Sequence, residues 1–284
     1  MTVTPIARPA TNVHEPVRTA IPPLGPYARE LWRRRPLIWH LARTQLKGEN
    51  YDSVLGQAWI ILDPLLMAGV YLLVRSILRP LGDGEETADL VAHLIVSVFL
   101  FQFTARTLNG GARSISGSRG LILNTSFPRS VFPVVHVLKG IFDLVPMLIV
   151  YAGIHLLLGQ PIGASLVFLP LILVLQVVFV AGLVFLFAPL AVFFRDTTNF
   201  LPYITRLWMF TSPILFKVSE IPPRIKPFIQ FNPLYWFFAA YERILEAQAP
   251  LVSQVVICAA LAGLTFVAGA AVFLARERDF ATRF

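Results

Sequence analysis

Of the 284 residues, 56% are hydrophobic and only 14% charged, against roughly 25% charged in an ordinary soluble domain. A mean hydropathy of +0.68 therefore excludes a water-soluble globule. The net charge of +8 does not make a nucleic-acid binder, because the basic residues lie between apolar runs and form no single basic face. The one cysteine, Cys258, sits inside an apolar run and excludes an intrachain disulfide.

Residues 1–26 contain Pro5, Pro9, Pro16, Pro22, Pro23 and Pro26 and read as a disordered cytosolic tail. They lack the short apolar core and small-residue cleavage site of a signal peptide. Residues 27–57 follow as an amphipathic segment. Leu31, Ile38, Leu41, Ala42 and Leu46 recur near helical spacing beside Arg33, Arg34, Arg35, Arg43 and Lys47, which predicts a basic helix in the cytoplasmic interface. Pro36 either kinks that helix or marks its start. Trp32 and Trp39 favour the interface over open solvent.

The region 58–275 reads as one all-α integral membrane domain with six spans, at about 58–78, 90–108, 131–158, 166–194, 200–216 and 251–274. The third and fourth are long enough to tilt or kink, with Pro133, Pro146, Pro170 and Pro189 as candidate positions. The fifth is short and carries Arg206. Residues 217–250 combine Pro222, Pro223, Pro227 and Pro233 with the aromatics Tyr235, Trp236, Phe237, Phe238 and Tyr241. That stretch is too long for a turn, and its apolar part is too short to cross a bilayer, so it predicts an outer re-entrant helical hairpin. Residues 276–284 form a short cytosolic C-terminus. With both termini inside, the inner segments hold fifteen of the 24 Lys and Arg residues and the outer segments five, as the positive-inside rule requires.

A P-loop needs a Lys followed by Ser or Thr. The four lysines are followed by Gly48, Gly140, Val218 and Pro227, so this chain hydrolyses no ATP through such a loop. His14, His40, His93, His136 and His155 lack ligand spacing, and no catalytic or metal site is read. Charges inside spans need a reason. Lys139 and Asp143, four apart in the third span, predict a structural ion pair. Arg75 either snorkels to the outer interface or faces a polar conduit. Trp59, Tyr71, Phe99 and Phe103 are candidate aromatic surfaces for sugars, although aromatics in apolar helices more often face lipid or core.

The run LKGENYDSVLGQAW at 46–59, continuing to Leu62 and Pro64, resembles the stretch leading into the first span of type-2 ABC exporter permeases. The likeness is to the branch exporting lipid-linked polysaccharide or teichoic acid. Phe194-Arg195-Asp196 after the fourth span, Ser212-Pro213-Ile214, Asn232-Pro233-Leu234 and the loop 124–133 follow in the same order. Gly48-Glu49-Asn50 departs from the family, which is more basic there. The resemblance covers residue 27 to the C-terminus.

It implies a homodimer in the bacterial plasma membrane, two copies of a separate nucleotide-binding subunit, and a polyprenyl-diphosphate-linked glycan as substrate. It implies no cofactor in this chain, ATP and Mg belonging to the partner subunit. Arg43, Lys47, Asp52, Arg113, Arg119, Arg129, Arg195 and Asp196 become candidates for coupling to that subunit. Trp59, Tyr71, Arg75, Phe99 and Phe103 become candidates for the substrate pathway, and Tyr235, Trp236 and Phe237 for an outer gate. O-antigen, teichoic acid and galactan all remain open as cargo. The Arg-over-Lys bias and the Ala-rich last span suggest a GC-rich bacterial genome and tilt the choice toward galactan. A secondary transporter and a membrane-embedded glycosyl- or phosphotransferase are the alternatives, and the lack of clustered carboxylates counts against both.

Overall fold

The computed structural model describes residues 23–49, 53–78, 84–124 and 128–283, and within them every regular element is helical. Twelve α-helices follow in chain order: α1 (Leu24–Arg33), α2 (Arg35–Gly48), α3 (Trp59–Leu78), α4 (Gly84–Ala112), α5 (Ser114–Gly117), α6 (Arg119–Asn124), α7 (Val131–Leu157), α8 (Leu169–Phe193), α9 (Thr197–Thr211), α10 (Lys226–Gln230), α11 (Pro233–Leu245) and α12 (Val252–Arg276).

The amphipathic segment is two helices. Pro36 stands in the first turn of α2, where its missing N–H costs nothing, and α1 ends at the break before it. Helix α1 begins at Leu24, inside the stretch whose prolines read as tail to residue 26. Pro23 caps it and Pro26 occupies its first turn, positions where proline is tolerated. Residues 1–22 lie outside the described residues. Ile38 and Ala42 of α2 are buried against Val131 and Val135 of α7, and Trp39 meets Phe142 edge-on at 4.9 Å. Trp32 and Trp39 stay largely exposed.

Two ends of the bundle are defined by what meets there. At the basic end, α1, the start of α7 and the end of α12 join in one node. The Tyr27 hydroxyl donates to Glu277 Oε2 at 2.7 Å and lies 2.8 Å from Ser130 Oγ. Arg129 donates from its backbone N–H to Glu277 Oε1 and from its guanidinium to the Glu277 carbonyl. Burial, and then the Glu277 charge, hold the Tyr27 phenol above its usual range. At the opposite, hairpin end, Lys217 donates to Asp89 and, at 2.9 Å, to Glu246. Arg75 at the end of α3 donates to Glu220 at 3.0 Å.

Five helical segments of the described residues are long and apolar enough to cross a membrane, centred on α3, α4, α7, α8 and α12. The expected fifth span, 200–216, overlaps the 15-residue α9, which begins earlier, at Thr197, and is only about 22 Å long at 1.5 Å per residue. That is short of the roughly 30 Å hydrocarbon core. The contacts at its two ends show how far the chain travels all the same. Arg113, just past α4, donates to the Thr198 carbonyl, and Lys217 reaches Asp89 near the start of α4. The stretch 198–217 thus covers the same depth as α4 does between Asp89 and Arg113, part of it outside the helix after the break at Ser212. The apolar run through Pro213 continues past the end of the helix, which is why it is longer than α9 itself. Helix α4 exceeds its expected 90–108 for the opposite reason. Its polar first turns, with Glu86 and Asp89, suit a helix N-terminus but lie outside the apolar run.

Helix α4 is the most deeply buried of the long helices, with Leu94, Phe99, Leu100 and Leu108 in the main core. The tightest pair is α8 with α12, where Gly182 and Gly269 face one another. A Cβ on Gly182 would strike the backbone of Thr265 and Phe266, and one on Gly269 the Gly182 carbonyl. Small residues let helix backbones touch where no hydrophobic effect drives them together. Gly182→Val is expected to cost about 1–3 kcal/mol, whereas Gly263→Ala, mid-helix and meeting open space, is expected to stabilise by up to about 1 kcal/mol. Thermal unfolding of the detergent-solubilised protein compares the two.

Candidate functional site

In a low-dielectric slab an unpaired charge costs several kcal/mol, so the partners of the charges inside the helices locate the site. Lys139 and Asp143 pair at 2.7 Å across one turn of α7, as their spacing predicts. Lys139 also pairs with Glu49 at the end of α2, a partner that spacing within one span cannot reveal. Arg106 of α4 pairs with Asp63 of α3. Both are recognisable in the sequence as charges inside spans, but only helix packing joins them.

Around these pairs lie two clefts, one on each side of the basic half of α4. The first, about 420 Å³, runs between α3, α4 and α9, and its charged lining is Arg106, Arg113 and Arg206. Asp63 neutralises Arg106 in part. Arg113 donates to a carbonyl and Arg206 stands over the Tyr203 ring at 5.9 Å, so the cleft keeps a net positive charge. The second, about 510 Å³, lies between α2, α4 and α7 and carries both signs: Arg106, His136 and Lys139 with Glu49 and Asp143. Arg106, Asn109 and Gly110 line both. A cationic groove between membrane helices suits an anionic group on a lipid.

The coupling candidates gather at the basic end. Arg43 stacks on Trp39 at 4.8 Å; Lys47, Arg113, Arg119, Arg195 and Asp196 are exposed. Arg195 and Asp196 form the turn between α8 and α9. Arg129 is tied into the Tyr27–Glu277 node rather than presented to a partner. Asp52 lies outside the described residues.

The pathway candidates separate. Phe99 and Phe103 are 0% and 2% exposed, inside the protomer core. The Tyr71 hydroxyl donates to Met209 Sδ at 3.1 Å, beside the arginine-lined cleft. Trp59 is partly exposed at the basic end of α3. Arg75 is held by Glu220 near the hairpin end.

At the hairpin end, Tyr235 and Phe237 are buried and Trp236 half-buried, so these aromatics seat α11 on the bundle. The exposed apolar rim is instead Ile225, Phe228 and Phe231 around α10. Asn232 organises the turn between α10 and α11. It accepts from Trp208 Nε1 at 2.7 Å and from the Leu234 N–H, and it donates to the Thr211 carbonyl.

The ion pairs make a stability prediction. Lys139→Met strands the buried Asp143 and is expected to cost about 3–5 kcal/mol. Arg206→Ala, which breaks no ion pair, stays within about 0.5 kcal/mol. Denaturant melts in one detergent check the contrast. A second prediction concerns Glu242, which accepts from the N–H groups of Val218 and Ser219. Burial pushes its carboxyl above the ordinary 4.5, with the Val218 N–H pulling back in part. The fold thus prefers the protonated acid. Its contribution is full below about pH 4.5 and is lost as pH rises through the raised folded value. Glu242→Gln should flatten that loss, read as amide exchange across 218–245 at pH 5 and pH 8.

Comparison of the sequence with known proteins places the chain among transporters. The model of the ABC-2 type transporter family matches residues 36–245. The O-antigen export system permease protein RfbA of Myxococcus xanthus is 25% identical over 89% of this chain and 97% of its own length. A protein of the same name from Klebsiella pneumoniae is 29% identical over 70% of this chain and 75% of its own.

Proposed function

The chain belongs to the ABC-2 type transporter family, and from that premise we propose that it is the membrane subunit of an ATP-driven exporter of cell-surface polysaccharide. Permeases of this family work with separate ATP-binding subunits, which fits a chain whose four lysines allow no P-loop. The cargo proposed is an O-antigen-type glycan linked to a polyprenyl diphosphate. The names of the similar permeases replace the weaker lean toward galactan that composition offered.

The single observation that carries the lipid-linked substrate is the cleft of Arg106, Arg113 and Arg206. A diphosphate needs cations at hydrocarbon depth, and the cleft opens beside α3 and α9, whose outer faces are apolar. Leu66, Val70 and Leu73 on α3, and Phe200, Tyr203 and Leu207 on α9, are all exposed. Those faces accept acyl chains or a second protomer, and a homodimer closing over the cleft is part of the proposal. The basic end is cytoplasmic, from the Lys and Arg asymmetry, so both termini lie on the cytoplasmic side of the bacterial plasma membrane. Two ATP-binding subunits engage there, at Arg43, Lys47, Arg113, Arg119, Arg195 and Asp196.

The test is reconstitution with the cognate ATP-binding subunit in proteoliposomes. Expected is ATP-dependent movement of a lipid-linked glycan, lowered roughly tenfold by Arg206→Ala, which removes one charge-assisted contact. Arg195→Glu is expected to weaken co-purification of the ATPase. Transport that follows an ion gradient and needs no ATPase overturns the proposal.

A further inference from the structure

Resting on that export reading, the second cleft adds a property that charge alone does not give. Three polar atoms on its lining residues lack any hydrogen-bond partner among the described residues: Thr107 Oγ1, Asn109 Oδ1 and Asp143 Oδ1. Thr107 and Asp143 are each 3% exposed, and such groups are rarely left unmatched in a folded protein. The chemistry of two of these atoms is fixed by their neighbours, while the Thr107 hydroxyl both donates and accepts. Asp143 uses its other oxygen to pair with Lys139, so Oδ1 is a carboxylate oxygen that only accepts. The Asn109 amide nitrogen donates to the Ala105 carbonyl at 2.8 Å and to Thr205 Oγ1 at 3.1 Å. That orientation leaves Oδ1 as a pure acceptor. Glu49 adds further carboxylate oxygens at the mouth.

The two fixed acceptors, Asp143 Oδ1 and Asn109 Oδ1, disfavour a phosphate and call for donors, and the Thr107 hydroxyl can meet a sugar hydroxyl in either sense. The donor-rich part of a lipid-linked glycan is the hydroxyl array of its sugars. Lys139, Arg106, Gln45 and His136, on the same wall, can answer the sugar's own oxygens, as a site for a group that both donates and accepts requires. The volume of about 510 Å³ falls in the range of small-molecule sites, roughly 300–1,000 Å³. Position agrees with composition. Arg106, Asn109 and Gly110 line both clefts, so a diphosphate among the arginines has its first sugar beside Asn109.

We propose that the cleft between α2, α4 and α7 is a sugar subsite, which binds the hydroxyl groups of the first one or two sugars next to the diphosphate. The arginine-lined cleft grips any polyprenyl diphosphate, and this one tells a glycosylated carrier from a bare one. Because α2 contributes Gln45 and Glu49, occupancy also ties the amphipathic helix to α4 and α7 when a loaded carrier is present.

The experiment measures binding of radiolabelled polyprenyl diphosphate, and of the same lipid carrying one hexose, to the full-length permease assembled with its ATP-binding subunit. Wild type is expected to prefer the hexose-bearing lipid about tenfold, the value of one good polar contact. Thr107→Val, which removes one unpartnered oxygen at constant shape, and Asp143→Asn are each expected to lose most of that preference. Neither is expected to change affinity for the bare lipid. Arg206→Ala is expected to weaken both lipids equally. If Asp143→Asn proves unstable, Thr107→Val decides alone. Equal binding of the two lipids by wild type overturns the sugar subsite and leaves the export reading standing. So does a preference that survives in Thr107→Val, since the cleft then holds only water. Failure of wild type to bind either lipid overturns the export reading itself.

Discussion

Hydrocarbon does not solvate charge, and the architecture follows from how each charged side chain within the long helices is answered. Lys139 is answered twice, by Asp143 on its own helix and by Glu49 from α2, which fastens the amphipathic segment to the bundle. Arg106 is answered by Asp63, which fastens α3 to α4. At the two ends the same need builds larger nodes, Lys217 with Asp89 and Glu246 and Glu277 with Tyr27 and Arg129. Each joins segments far apart in the chain. What remains is informative: Arg113 and Arg206 open onto a cleft without a lining carboxylate, and the most economical use of such a cleft is an anion.

Packing divides the bundle into a fixed part and lightly held parts. Helices α8 and α12 touch backbone to backbone through Gly182 and Gly269, and α4 is buried between its neighbours. Helices α3 and α9 expose broad apolar faces and join the bundle through Ala68, Tyr71, Leu201 and Met209 in the core, with polar contacts such as Asn109 to Thr205 and Tyr71 to Met209. Elements joined by few contacts open at low free-energy cost. The arginine-lined cleft lies where the buried α4 meets the more exposed α3 and α9.

The residues that sequence placed in roles were sorted by tertiary packing. Phe99 and Phe103 look like a stacking surface in a helical run, yet they fill the core because that face of α4 meets its neighbours. Tyr235 and Phe237 look like a lid, yet they anchor α11, and the exposed rim falls to Phe228 and Phe231. Thr107 and Asn109 carry no signal in the sequence at all. Polar residues of this size are common in membrane helices, and only the direction each side chain takes in the packed bundle shows which oxygen is left over.

Sequence by itself determined the solvent, the number of long apolar helices to within one, the basic side, the lack of a P-loop and the Lys139–Asp143 pair. These depend on composition and on spacing within one helix, which the chain carries locally. Tertiary structure alone decided that α9 reaches the far end through a break after Thr211, that Glu49 and Asp63 are the partners of Lys139 and Arg106, and that two clefts share one wall of α4. The reason is physical: a charge in a membrane pairs with whatever the neighbouring helix presents, and packing decides which helix is the neighbour.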